Sequence, residues 1–561
     1  MLKTRFGRIG GALALALSAS LIAVGCGDSK DDAATTTTAV EIPKGGTLVI
    51  GAEQEPDCVD WIASCAGSSW GSWMLKVQTI PQAFSVRDVS GTWTPQKTEV
   101  LAGDPEVEQV GGKQVITYKL GTKAVWSDGV AITAKDFVYT AETIRDGDDI
   151  YDKTGYDKIE KIEAKDDTTV VATLSTTYPD WRGLFSGGYG ILPAHLLEGK
   201  DRSAIMKDGY DFSGGPWKLE KWDKGVSITL VPNDKYWGAK PNLDKVIFQF
   251  TTDTAAAFQA FKSDQVSVLY PQPQLDAIDQ IKAGLPNAQS SYSPRSGNVE
   301  ALWINNEAFP FDSLAVRQAV GFSIDRDAVV KRLFGAVGVD KAVQSFNPPI
   351  VSAFAGEDFS KYTLNLDKVN ELMTGDGWAK GSDGVWAKDG KKAEFAFSTT
   401  ANNKRRELTQ EVVQSQLKDA GFLTVIERKP AGELFGQILP DGKYAMALYA
   451  QVATFPSPSL SSIFLSTNIP TEANAFSGQN WTRTNVDGLD KLLKQVDTEL
   501  DEAKRIEVSK EADKLIAESA TSLPLDPLPN ILLWSNSVLG PVSDNPVEGP
   551  FWNLSAWGLK Q

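Results

Sequence analysis

An α/β fold with more than one lobe is the class this sequence predicts. Two observations carry it. Short segments of period-two apolar alternation interleave with period-3.6 helical segments along most of the chain. At 561 residues, 42% hydrophobic and 23% charged, the chain is also long enough for two or three apolar cores.

The N-terminus reads as an export signal. Lys3, Arg5 and Arg8 precede a small-residue and aliphatic run from Ile9 to Val24, short for a membrane span. Ala23-Val24-Gly25-Cys26 resembles a bacterial lipobox, although the usual Leu three residues before the cysteine is Ala23. The expectation is a signal peptide over 1–25, a lipid on Cys26 and a flexible tether over 26–44. Asp28 to Glu41 has Val40 as its one large apolar residue. If Cys26 carries lipid, Cys58 and Cys65 remain as a pair in an exported chain, and a short disulfide is the natural expectation. Their spacing also suits a metal pair, but no further ligand set accompanies them, so no metal is expected.

The folded body is expected to begin near Gly45. GGTLVIGA (45–52) reads as a strand, followed by a loop rich in Ser, Gly and Trp that enters a helix. Residues 84–120 read as strands, with Ile116, Tyr118 and Leu120 alternating against Thr117 and Lys119. Ser127-Asp128-Gly129 is a turn. Thr133 and Asp136 have capping-box spacing and predict a helix over 134–145. Residues 159–174 read as a hairpin turning near Asp166-Asp167. His195, the single histidine, lies in a short helical piece and reads as structural. Further strands and helices alternate from 214 to 335, including a strand over 298–305. Gly375 to Phe395 should be an exposed hairpin.

A helix is expected over 403–420. Lys404, Arg405 and Arg406 in its first turn oppose the helix dipole by a few tenths to about 1 kcal/mol each. A solvated face, a local carboxylate partner and an anion site are the three readings. A stripe of Leu489, Leu492, Leu493, Val496 and Leu500 forms another helix, and Asp501 starts the next.

The formal charge of −16 argues against nucleic acid as a partner, which needs a basic footprint. No P-loop, glycine-rich dinucleotide fingerprint or HExxH motif occurs. No cofactor is expected and the chain does not read as an enzyme. A secreted carboxylate-dependent hydrolase is the alternative from another class, because 72 acidic residues permit many pairs.

The order of motifs resembles the family 5 extracellular solute-binding proteins, the dipeptide, oligopeptide and nickel receptors of ABC importers. The resemblance rests on Ala124, Trp126-Ser127-Asp128-Gly129, Ile132-Thr133-Ala134, Asp136-Phe137 and Tyr139. It continues in Gly215-Pro216-Trp217, Asn233 and Tyr236-Trp237, then Asn305, Phe311, Val316-Arg317-Gln318-Ala319 and Ile324-Asp325-Arg326. Gly375 to Trp386 and the final Leu-Pro pattern also fit.

That resemblance implies a two-lobed periplasmic-binding-protein-like fold (type II, cluster C). The first lobe would take 45–80, 206–298 and 526–561, an inserted subdomain 81–205, and the second lobe 299–525. Ligand would sit between lobes that close by hinge motion. The partners implied are a peptide or other small solute, the permease subunits of an ABC transporter, and the membrane through the N-terminal lipid. The chain itself would be a monomer on the outer face of the cell membrane.

The resemblance also implies ligand contacts at Trp61, Trp70, Trp303, Asn305, Arg405, Tyr449 and Gln451, with Thr454 suited to neutral polar groups. One departure bears on the ligand. Peptide receptors of this family place an Asp against the peptide's amino group in a second-lobe segment that aligns with Ala447 to Pro458. Here that segment has no acid. Either the anchor comes from elsewhere, such as Asp57 or Asp60, or the ligand is a neutral oligosaccharide or another solute without a free amine. The nickel branch does not fit the ligand count.

Overall fold

Two mixed sheets dominate the computed structural model. It describes residues 42–63, 65, 69–90, 92–271, 275–293, 296–453, 455–541 and 545–561. The signal segment, Cys26 and the tether up to residue 41 lie outside the described residues, as does Thr454.

The first sheet has seven strands. Its centre is Thr47–Ala52, parallel to Lys245–Phe250 on one side and to Val268–Leu269 on the other. Ser227–Pro232 and Trp217–Asp223 extend it antiparallel beyond Lys245–Phe250. Asn530–Ser535 and Ala288–Ser293 extend the opposite edge. Leu48, Ile50, Val246, Phe248, Ile228, Leu230 and Leu532 are fully buried, as the apolar periodicity of these segments requires.

The second sheet has five strands, in the order Leu423–Lys429, Glu394–Thr400, Met446–Val452, Asn298–Ile304 and Ser522–Asp526. Asn298–Ile304 runs antiparallel to both neighbours and is buried along its whole length. The chain leaves the first sheet through this strand and returns through Ser522–Asp526. The two connections therefore leave the second sheet side by side. These sheets are the cores of the two lobes.

Between the first-sheet strands Thr47–Ala52 and Trp217–Asp223 the chain forms a separate layer. It is a four-stranded antiparallel sheet of Glu106–Val110, Lys113–Lys119, Thr169–Leu174 and Ile159–Asp166. The helix Ala134–Asp146 packs on it. Its capping box is complete, with Thr133 N donating to Asp136 Oδ2 at 2.7 Å. Asp128 Oδ1 accepts from Val130 N at 2.9 Å, and Gly129 has φ +92°. Asp136 Oδ1 also accepts from Ala194 N, and Asp128 Oδ2 meets His195 Nε2 at 2.8 Å. The single histidine is thus a strut between the turn and the segment after it.

Replacing Asp128 or Thr133 by Ala should therefore cost about 0.5–2 kcal/mol of unfolding free energy. Ligand affinity should stay near wild type, because neither side chain reaches the cavity described below. Urea melts and titration calorimetry on the folded variants check both halves. At Gly215 a side chain has no room: a Cβ there would meet the Gln78 carbonyl oxygen at 2.3 Å.

Three expectations change. Leu500 is 55% exposed, because the helix bearing the leucine stripe ends at Val496 and Leu500 falls in the following loop. Of the first-turn cations of the helix Lys404–Ala420, Lys404 is exposed, but Arg405 is 1% exposed and Arg406 is half-buried, so the three do not form a solvated face. Arg405 and Arg406 instead meet Glu300 at 3.0 and 2.8 Å, which is the local-carboxylate reading. Burial would raise the Glu300 carboxyl, but Arg405 and Arg406 outweigh it and hold it at about 2. The exposed hairpin over 375–395 is a small three-stranded sheet. No helix among the described residues is long and apolar enough to cross a membrane.

Candidate functional site

The central strand Thr47–Ala52 ends at Glu53, and Met446–Val452 ends facing it from the other lobe. Open α/β sheets offer ligand sites beyond such strand ends. Here they border a cavity of about 330 Å³, at the small end of the usual range for ligand sites. All three layers supply its wall. Glu53, Trp61, Trp70 and Trp73 come from the first lobe; Tyr151, Asp152, Tyr178 and Tyr189 come from the antiparallel layer. Phe435, Tyr449, Gln451, Gln479 and Trp481 come from the second.

The lobes touch around this cavity. Asp180 takes Arg505 Nη1 at 2.9 Å and also bonds Arg505 Nη2 and Ser457 Oγ. Ser477 Oγ donates to the Ile150 carbonyl at 2.7 Å, and Asn403 Nδ2 to Glu53 Oε1 at 3.2 Å. Phe455 lies against Gly183, where a Cβ would meet its ring at 3.5 Å. This is a closed arrangement, with the Phe455–Ile463 stretch over the cavity.

The structure brings four of the seven sequence-derived contact residues to the wall. Trp61 is half-buried and donates Nε1–H to the Tyr189 carbonyl at 2.6 Å. Trp70 packs with Trp73, Tyr270 and Phe551, ring centroids 5.6 to 6.1 Å apart. Tyr449 and Gln451 follow each other on one face of Met446–Val452, and Gln451 Nε2 reaches Gln479 Oε1 at 3.4 Å.

Trp303, Asn305 and Arg405 are placed away from the wall. Trp303 stacks behind Tyr449 at 5.0 Å and donates Nε1–H to the Tyr449 carbonyl at 2.8 Å, so it backs a lining residue. Asn305 spends its amide on the Gly442 and Tyr444 carbonyls, both at 3.0 Å. Arg405 faces Glu300 inside the second lobe, and its neighbour Arg406 is the one that lines the cavity. Helix geometry turns successive residues by about 100°, which puts these two arginines on different faces.

Both candidate acidic anchors are also off the wall. Asp60 is fully buried and accepts from Arg202 Nε at 2.8 Å. Asp57 is exposed and abuts Gly432 of the second lobe. The carboxylates that do line the cavity are Glu53 and Asp152. The Asp152 carboxyl is pushed up by burial. The Tyr178 and Tyr189 hydroxyls are likewise held well above their ordinary range, first by burial.

Cys58 and Cys65 are joined by a disulfide, and Cys58 borders the cavity. Gly67 to Gly71 reads GSSWG, the spacing of a hydrolase nucleophile elbow, and its Ser69 borders the cavity too. The one histidine that could activate it is committed to Asp128, off the cavity wall. Among the described residues no group of three His, Cys, Asp or Glu side chains could hold a metal ion.

A family model described as "Bacterial extracellular solute-binding proteins, family 5 Middle" matches residues 99–471. The chain belongs to this family. Family 5 relatives include the oligopeptide-binding protein AppA of Bacillus subtilis, 24% identical over 513 residues that cover 89% of each chain. The solved structure of AppA, in complex with a nonapeptide, shares the fold at a TM-score of 0.80. It is 20% identical, with 93% of this chain and 100% of that one covered. A periplasmic EDTA-binding protein, EppA, gives 0.78 at 23% identity, covering 94% and 99%. These neighbours have the two-lobed binding-protein fold.

Proposed function

We propose that this chain is the extracytoplasmic receptor of an ABC importer, capturing a peptide or similar small solute between its lobes. The observation that carries the reading is the closed cavity walled by both lobes, with contacts such as Asp180–Arg505 that exist only when the lobes meet. AppA, solved with a nonapeptide, supports peptide as the ligand class. A cavity of about 330 Å³ favours short ligands. Closure buries the solute and creates the surface a permease recognises. The chain carries no nucleotide motif, so the energy for transport comes from other subunits.

Cys26 is proposed to carry the lipid that tethers a monomeric receptor to the outer face of the membrane. Replacing Cys26 by Ser should release the protein from the membrane fraction. The receptor reading is tested by thermal shift on the mature chain, after unfolding and refolding to strip co-purified ligand. Pools of short peptides should raise the melting temperature as RT ln(1+[L]/Kd), while sugar pools should not. No shift with any solute pool would sink the reading.

A further inference from the structure

The wall of the cavity holds an unbalanced charge. Of its two carboxylates, Glu53 faces Arg406, whose guanidinium it helps to hold in the charged form, and it also accepts from Asn403. Asp152 has no such partner. Among the described residues no cation pairs with it. Its Oδ1 accepts from Thr154 N at 2.9 Å, and the Thr154 and Tyr189 hydroxyls, both neutral, also bond its carboxyl. The nearby Lys158 is spent elsewhere, 3.3 Å from Asp157 and 3.9 Å from Asp497, over the Tyr178 ring.

A partly buried carboxylate that borders a cavity without a counter-ion is costly for the protein alone. The cost disappears if the ligand brings the cation. The surroundings suit one: Trp61, Tyr178 and Tyr189 present aromatic rings to the same cavity, and ring faces attract ammonium groups. The second-lobe segment over 447–458, meanwhile, has no acid to do this work.

We propose that Asp152, from the inserted layer, is the counter-charge for a protonated amine on the ligand, with Tyr189 and Tyr178 beside it. The amine is then anchored by the inserted layer and not by the second-lobe segment over 447–458. This rests on the receptor reading above. It narrows the ligand to solutes with a free amino group, such as a short peptide with an unmodified N-terminus.

The test uses the full mature chain and two matched libraries of neutral peptides two to five residues long. One has free N-termini and the other is N-acetylated. Titration calorimetry should show the wild type binding the free-amine library at least about 30-fold more tightly than the acetylated one, as expected when one partner of a buried charge pair is removed. Asp152→Asn keeps an oxygen for Thr154 N, and should lose at least about 30-fold on the free-amine library while leaving the acetylated one unchanged. Equal affinity of Asp152→Asn and wild type for free-amine peptides would overturn the inference. So would equal binding of the two libraries by wild type, a comparison that stands even if the variant does not fold. If wild type binds only neutral or anionic solutes, the anchor is wrong and the receptor reading survives. If it binds no solute at all, both fall.

Discussion

Replacing Asp180 by Ala should weaken ligand binding by roughly 100-fold while barely altering the unfolding free energy of the ligand-free chain. Asp180 stands in the inserted layer, and Arg505 stands on the long second-lobe helix Glu502–Ser519. Their side chains are 10% and 8% exposed. When the lobes part, both charges regain water. When they close, each relies on the other. Removing one member of a buried pair strands its partner at about 3–5 kcal/mol. That penalty falls on the closed form alone, so ligand has to overcome it, and about 3 kcal/mol is on the order of 100-fold in Kd. Titration calorimetry on wild type, Asp180→Ala and the double variant Asp180→Ala/Arg505→Met checks it. The double variant should regain much of the loss because no stranded charge remains. Wild-type affinity in Asp180→Ala would show that this contact contributes nothing to closure.

Asp513 should make the chain less stable as pH rises from about 4 to above 6. It lies inside the same long helix and is fully buried. Its Oδ2 accepts from Ser345 Oγ and from Gly356 N, the latter at 2.7 Å. Burial nevertheless pushes its carboxyl up from 3.8 to about 6. Between those values the folded chain holds a proton that the unfolded chain has released. Stability is therefore full below the unfolded value and is lost as pH climbs through the folded one, by ~3 kcal/mol in total. Asp513→Asn can keep its oxygen where Ser345 and Gly356 donate, and it carries no titration. The difference in unfolding free energy between variant and wild type should thus move by ~3 kcal/mol in the variant's favour from pH 4 to 7.5. Urea melts at several pH values measure it, and a difference that stays flat across that range would contradict the argument.

The elements of the fold were largely legible because each has a local cause. Thr133 and Asp136 announce the helix they cap, and Leu48 and Ile50 announce a strand. The cavity was legible only in part. Tyr449 and Gln451 reach it because a strand sends alternate residues to one face, but sequence cannot say which face borders the solvent between lobes. Trp303 shows the cost: the same aromatic character serves as backing for Tyr449. Arg405 and Arg406 differ by one helical step, and only the fold decides which one reaches the cavity. Asp152 was missed because it sits in a turn region with no periodic signal. The clue available was the unusual density of Tyr and Asp in Tyr151-Asp152 and Tyr156-Asp157.

The strand Asn530–Ser535 has a consequence for how the chain comes to be folded. It lies between Val268–Leu269 and Ala288–Ser293, so the edge strand Ala288–Ser293 has no neighbour until it arrives. Nearly the whole polypeptide must be present before the first lobe's sheet can be completed. Such sequence-distant pairing is slow. Completion of this sheet therefore waits on the last tenth of the chain.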